Sequence, residues 1–241
     1  MKKIGQRWSE RYSTTMDKTI YELVYPKTRE EWLSIRGLGG SDASVLINKN
    51  PWKSKLQLFL EKTGKSKPKD LSDNAYVKKG NKLEPLIRKQ VAVYLGSDLK
   101  VTNPPKSNWL FRRLDKPYMT ASLDGLITNK KTKETYPLEI KTHLIRNAQD
   151  KAEWESGHLP DTYYCQCLWY LAVTGAKRII LVANLENYSF DGETRRLNNV
   201  DQRYYYMERE PLEQEIKYLE QEATTFWEEN VMKGVMPEII I

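Results

Sequence analysis

Cysteine is scarce in this chain, with two in 241 residues. Cys165 and Cys167 stand two apart in a predicted helix, so their side chains diverge and they cannot readily bridge each other. With no second cysteine pair they also make a poor zinc site, which leaves them a structural role. Long apolar runs are missing too. None approaches the roughly 18 residues that a membrane-spanning helix needs. The N-terminal stretch MKKIGQRWSERYSTTMDK is positively charged but lacks the apolar core of a signal peptide, so a cytoplasmic protein is expected. There is no internal repeat and no Pro-, Gly- or Ser-rich linker to separate domains. One domain over residues 1–241 is therefore predicted, long enough to bury a substantial core.

Positive charge is in excess, and it is unevenly placed. The formal net charge is +7, and residues 1–70 alone hold 15 Lys plus Arg against 8 Asp plus Glu, so the remainder is balanced. Such polarity points to a polyanion approached by the N-terminal part, because neutralising phosphates releases condensed counterions. A merely solubilising surface is the alternative.

Along the chain, the first 20 residues show no sustained period, and residues 1–27 are expected to form a loose N-terminal arm or a partly ordered cap. Thr28 with Glu31 marks the start of a short helix through Trp32 and Ile35. It ends at RGLGGSDASVL, where Gly37, Gly39 and Gly40 allow close backbone approach and Ser41 or Asp42 can cap the next helix. A glycine-rich turn at a helix N-terminus suits a phosphate, although the Walker spacing is absent and a purely structural turn is the other reading. Ser54 caps an amphipathic helix carrying Leu56, Phe59 and Leu60, stopped by Gly64, and GKSKPKD follows as a basic loop. A long helical stretch from Asp73 to Leu95, interrupted near Gly80 and Pro85, has Leu86, Ile87, Val91 and Tyr94 as its predicted stripe. Pro160 and Asp161 open the apolar helix TYYCQCLWYLAVT, closed by Gly175. Within it Gln166 and Tyr170 share a face, and a Gln in such surroundings needs a hydrogen-bond partner, in the core or at a site. RIILVANL reads as a buried strand, with NYSF and RYYYME as an antiparallel pair across the loop DGETRRLNNVDQ. Residues 208–233 are predicted as a C-terminal helix with one apolar stripe.

The chemistry concentrates between Tyr118 and His143. YMTASLDGLIT and YPLEIKTH are two strand-like runs joined by the polar turn NKKTKET. Alternation places Ser122 and Asp124 on one face, and Glu139, Lys141 and His143 on one face of the partner. Antiparallel pairing then brings two carboxylates and an ammonium together. Burying them is costly without compensation, and a divalent cation with hard-oxygen preference supplies it. The hairpin is therefore read as a metal-dependent hydrolytic site. An ordinary hairpin with a solvated Glu-x-Lys face is the alternative.

These residues follow the Asp, then Glu-x-Lys pattern of the PD-(D/E)XK nuclease superfamily, with Leu123 where that name has Pro. Taken in order, RGLGGSDASVL, NPWKSKLQLFLEKTG, GNKLEP, ASLDGLI, LEIKTH and QCLWY resemble the lambda-type phage exonucleases, or YqaJ-like viral recombinases. The resemblance implies an α/β (α+β) fold with a mixed central sheet flanked by helices. It also implies Mg²⁺-dependent 5′ to 3′ digestion of one strand of duplex DNA to leave a 3′ single-stranded tail, Mn²⁺ being able to substitute and two ions being expected. Asp124 and Glu139, with the carbonyl of Ile140, correspond to metal ligands, Lys141 to the residue that positions or activates the attacking water, and Glu84 to a second-metal ligand. Arg36 and Ser41 correspond to the grip on a terminal 5′ phosphate, Ser122 to a further phosphate contact, and Gln166 with Tyr170 to a Q-x-x-x-Y element. Arg146 is the nearest candidate for an Arg expected a short way beyond the Lys. The implied partners are duplex DNA ends, two further copies in a homotrimeric ring, and a single-strand annealing protein.

Three rivals follow from the same residues: an endonuclease of restriction or repair type, a DNA-end-binding protein that does not cut, and an interaction protein whose basic N-terminal part binds acidic protein.

Overall fold

The strand-forming runs sort into two sheets in the computed structural model, which describes residues 16–17, 19–104, 109–191 and 194–238. Strands β1 (Tyr21–Val24), β3 (Leu110–Arg113) and β4 (Thr120–Ala121) form a small antiparallel sheet in the order β1-β3-β4. Strands β2 (Leu99–Thr102), β5 (Gly125–Asn129), β6 (Thr135–Leu144), β7 (Arg178–Asp191) and β8 (Thr194–Glu208) form the large sheet in that order. Within it only β6 and β7 run parallel. A parallel pair needs a crossover, and helices α5 (Ala148–Glu155) and α6 (Asp161–Thr174) provide it. The mixed sheet flanked by helices agrees with the fold class read from the sequence.

Both faces of β5–β7 are covered, which explains why these strands read as nearly continuous apolar runs. On one face lie α6, the short helices α2 (Gly40–Leu46) and α3 (Lys55–Lys62), and the C-terminal α7 (Glu213–Thr225), whereas the short α1 (Arg29–Ile35) buries none of its residues. From Cys167 to Val173 helix α6 is apolar on all sides because it is buried on all sides, between the sheet and α2 and α7. Helix α4 (Ala75–Tyr94) covers the other face, where Ile87 and Val91 pack on Ile127, Leu138, Ile140, Ile180 and Val182. Three caps fall where the sequence puts them: Thr28 Oγ1 accepts from Glu31 N at 3.1 Å, Ser54 Oγ from Gln57 N at 3.1 Å, and Gly175 ends α6 at φ +61°; α2 is capped by Gly39 and not by Ser41 or Asp42, which lie inside its first turn.

Five expectations change. The run from Tyr118 to Thr128 is not one strand: Thr120–Ala121 belongs to the small sheet, and pairing with β6 starts at Gly125 opposite Leu138. Helix α4 is continuous through Pro85, whose ring and the freed Asn81 carbonyl lie on the solvent side. Its stripe is Leu83, Ile87, Val91 and Leu95, while Leu86 and Tyr94 are exposed, because the helix meets the sheet at four-residue spacing. NYSF continues β7, and most of the expected loop belongs to β8, so the β7–β8 hairpin is far longer than predicted. Tyr21–Val24 is a paired strand and not part of an arm, whereas residues 1–15 and 18 lie outside the described residues. At the C-terminal end a 3₁₀ turn (Glu210–Leu212) and a π-helical turn (Phe226–Val231) flank α7, whose Ile216, Leu219 and Ala223 complete this chain's own core. Among the described residues no helix is long and apolar enough to cross a membrane.

Candidate active site

Residues 120–124 link the two sheets and lack a continuous ladder, so side chains hold their carbonyls instead. Trp169 Nε1 donates to the carbonyl of Thr120 and Trp109 Nε1 to that of Leu123, both at 2.8 Å. Tyr170 Oη donates to the carbonyl of Ser122 at 2.8 Å, and Arg88 Nε to that of Asp124 at 2.7 Å. Two helices and a tryptophan thus fix where Asp124 sits, just before β5. Its Oδ2 accepts from the Ile140 N–H at 2.8 Å, which ties it to the middle of β6.

On β6, Glu139 is 2% exposed and Lys141 lies on the same face. Lys141 Nζ is 2.6 Å from Glu139 Oε1 and 5.2 Å from the centre of the Tyr163 ring. Gln166 Nε2 donates to the same Oε1 at 2.7 Å and to Tyr170 Oη at 2.7 Å. The amide required inside α6 therefore finds its partner at the site. Glu139 Oε2, by contrast, is buried with no hydrogen-bond partner. Glu84 reaches the site from α4, paired with Arg88, whose guanidinium is itself buried.

Burial and mutual repulsion govern the charges here. Burial, then the Asp124 charge, pushes the Glu139 carboxyl up to about 8, and the same two causes push Glu84 up to about 7 against the pull of Arg88. Burial also raises Asp124, opposed by Lys141, the Ile140 N–H and Arg88. Burial works against the Lys141 ammonium, but Glu139 and Asp124 outweigh it and hold the ammonium protonated well above the ordinary lysine range. The site carries more carboxylate than its ammonium can neutralise.

Beside it opens a cleft of about 180 Å³ lined by Trp32, Arg36, Gly39, Gly40, Ser41, Thr120, Ser122, Gln166 and Tyr170. The segment from Arg36 to Asp42 is fastened to β4: Leu38 N donates to the Tyr118 carbonyl and Thr120 N to the Leu38 carbonyl. Gly37 passes so close that a Cβ there would lie 2.3 Å from the Tyr118 oxygen, which is why this position has no side chain. Arg36 Nη2 donates to Ser41 Oγ at 2.9 Å and lies over the Trp32 ring. Asp42, at the third position of α2, accepts from Gly39 N at 3.0 Å and stands 3.6 Å from Arg36 and 3.3 Å from Lys62. Burial would raise the Asp42 carboxyl, but Arg36, Lys62 and that N–H hold it below the usual range. Ser122 Oγ is enclosed without a partner at the cleft wall.

The structure thus brings Asp124, Glu139, Ile140, Lys141 and Glu84 to one place, and Arg36, Ser41, Ser122, Gln166 and Tyr170 to the adjoining cleft. Arg146 does not line the cleft; it is exposed beyond the end of β6, and its N–H donates to Asp150. His143 turns to Asp150 at 2.9 Å. A larger cavity of about 390 Å³ lies between α5 and the β7–β8 pair, but its charges pair among themselves, Arg203 with Asp201 at 2.8 Å and Lys151 with Glu155 at 3.7 Å. Burial raises both thiols, Cys165 to about 11, consistent with a structural role.

Arg88 and Lys62 escape a reading of the sequence, and Asp42 is read there only as a helix cap. The Glu84 and Arg88 spacing of four was a usable signal; nothing local links Lys62 to Asp42. Replacing Arg88 with Ala leaves Glu84 beside Asp124 without its cation and frees the Asp124 carbonyl. We expect a loss of about 3–5 kcal/mol in urea unfolding without metal; an unchanged midpoint would mean that Arg88 holds nothing in place.

Residues Asp124 and Glu139 fit a hard divalent ion. They offer oxygen donors only, they are in charge excess, and Glu139 Oε2 is a buried acceptor without a donor. Among the described residues no three acidic, histidine or cysteine side chains already converge on one point, since Glu84 is turned to Arg88.

Residues 31–177 match the YqaJ-like viral recombinase domain. The chain is 32% identical over 151 residues to YqaJ of Bacillus subtilis strain 168, a protein described as uncharacterized, the match covering 61% of this chain and 43% of that one. The fold is similar to the alkaline exonuclease LHK-Exo of Laribacter hongkongensis, with 18% identity, a TM-score of 0.59, and 86% of this chain and 94% of that one covered. It is also similar to a phage-related exonuclease of Haemophilus somnus 129PT, with 14% identity, a TM-score of 0.53, and 84% and 98% covered.

Proposed function

The chain belongs to the YqaJ-like viral recombinase domain family, and from that premise we propose that it is a metal-dependent exonuclease acting on the ends of linear duplex DNA, cutting one strand from its 5′ end. One observation carries this reading. Gln166 donates to Glu139 and also lines the cleft that holds Arg36 and Ser41, so a carboxylate–lysine centre and an arginine-lined cleft share a wall. That arrangement suits a phosphodiester one step in from a terminal phosphate.

In this reading Asp124, Glu139 and the Ile140 carbonyl would hold Mg²⁺ or Mn²⁺, and Glu84 would serve a second ion. Ions held there would supply Lewis-acid stabilisation of the attacking and leaving oxygens of the phosphodiester. Lys141, held by Glu139 and backed by Tyr163, orients the attacking water and places fixed positive charge where negative charge develops on the phosphate. Arg36 and Ser41 take the terminal 5′ phosphate, with Ser122 Oγ as a further donor. Each cut exposes a new 5′ phosphate, and its attraction into the cleft advances the strand in one direction. A homotrimeric ring around the duplex, and delivery of the 3′ tail to a single-strand annealing protein, complete the proposal as the family resemblance implies it.

Nucleotide release from linear duplex DNA, compared with covalently closed circular duplex, tests this. Release from the linear form alone, in Mg²⁺ and not in EDTA, is expected. Nicking or cutting of closed circles would make the protein an endonuclease, and binding to ends without release would leave it an end-binding protein.

A further inference from the structure

The flank of α4 opposite Glu84 has no part in the nuclease site, yet its composition is unusual. Helix α4 carries five Lys plus Arg and a single acidic residue, Glu84, which faces Arg88 on the other side. At about 100° per residue Lys82 and Lys89 share one exposed line, a shoulder pointing away from the sheet; the exposed Leu86 and Val93 come next round the helix, then Gln90 and, about 120–140° from the lysines, Tyr94. Alternate residues of β8 meet these last two: Gln202 donates to Gln90, and Tyr204 stacks on Tyr94 with ring centres 4.0 Å apart and planes at 19°. Tyr206, next on the same face of β8, is 56% exposed, and Tyr94 is 64% exposed. Among the described residues β8 pairs only with β7, so this face runs to the open edge of the sheet.

Exposed lysines on one side and flat aromatic rings on the next, with side-chain amides between them, fit a flexible polyanion that passes round the helix and also offers free π faces. Duplex DNA satisfies the lysines but keeps its base faces stacked; a single strand satisfies both. An acidic protein would need the lysines and not the rings. A second copy joined through this same face would set the lysine shoulders against each other. The shoulder is also only about 10 Å, one helix diameter, from the flank that holds Glu84.

We propose that the shoulder of α4 and the outer face of β8 bind single-stranded DNA, as the strand left behind when its complement is digested. The source of that strand rests on the function proposed above; the binding itself does not.

Fluorescence anisotropy of a labelled oligothymidine with the full chain in EDTA, where nothing is cut, tests it. Tyr94→Ala and Tyr206→Ala are each expected to weaken binding roughly tenfold, with Tyr206→Phe retaining it. Lys82→Gln and Lys89→Gln should each flatten the slope of log affinity on log salt by about 0.7. These responses in a protein that releases no nucleotides from duplex ends would sink the exonuclease reading and leave this surface standing. Unchanged oligothymidine affinity in both alanine variants, with normal digestion of duplex, would overturn the surface and spare the exonuclease. A change of oligomeric state in sedimentation velocity, caused by either alanine variant, would overturn it as well by making the face a contact between subunits.

Discussion

Glu139→Gln is expected to reduce nucleotide release from linear duplex DNA by a factor of about 10³ or more, and at the same time to make the metal-free protein harder to unfold. Both effects come from one buried carboxylate. Its Oε1 already accepts from Lys141 and Gln166, whereas Oε2 has no donor, and the Asp124 charge acts against the ionised carboxyl. A cation satisfies that oxygen; without one the charge is a cost. Burial and Asp124 raise the carboxyl from 4.5 to about 8, so folding takes up a proton between those values. The sign follows directly. This group's contribution to stability falls as pH rises from about 4.5 to about 8, the reverse of a salt-bridged carboxylate. Glutamine keeps the shape, still accepts from Gln166 through its carbonyl oxygen, and carries no charge to bury.

The gain should therefore be near zero at pH 4 and reach about 3 kcal/mol near neutral pH. Urea unfolding in EDTA at pH 4 and pH 8, beside nucleotide release in Mg²⁺, checks both halves. Full activity in the variant would remove the carboxylate from the chemistry. A variant less stable at pH 8 would mean that Lys141 needs its counter-charge more than the site suffers from the extra carboxylate.

Arg36→Ala is expected to lower kcat/KM on 5′-phosphorylated ends by about 10²-fold, with little change on 5′-hydroxyl ends. Charge-assisted hydrogen bonds from a guanidinium to phosphate contribute about 1.5–3 kcal/mol each, so one or two of them account for that factor. The guanidinium is held in advance by Ser41 at 2.9 Å, Asp42 at 3.6 Å and the Trp32 ring. Lys62 shares Asp42, so that carboxylate is answered even when Arg36 turns to a ligand. Steady-state kinetics on the two kinds of end give the comparison. Equal losses on both would make Arg36 a support of the glycine-rich turn and not a phosphate ligand.

How much of this was legible beforehand differs from residue to residue. The pairing of β5 with β6, the caps at Thr28, Ser54 and Gly175, and the buried α6 follow from patterns a few residues long. Gln166 was recognisable as an amide that needed a partner, but which partner depended on where α6 lies against β6. The break between β4 and β5 was invisible because residues 120–124 alternate like a strand; their carbonyls are held by Trp109, Arg88, Trp169 and Tyr170, from distant parts of the chain. The exposed Tyr94 was assigned to the buried stripe because a helical period alone does not say which flank meets the sheet.

The sequence by itself determined the parts: a mixed sheet with helices, the Asp and Glu-x-Lys residues, and a glycine-rich turn ahead of a helix. Those features rest on local sterics and periodicity, which act within a few residues. Only the tertiary structure decided that Gln166 joins the carboxylate centre to the Arg36 cleft, that Glu84 rests on Arg88, and that Tyr94, Tyr204 and Tyr206 meet across α4 and β8. Such contacts depend on how separately formed elements pack, and packing is set by the burial of the whole core and not by the neighbours of any one residue.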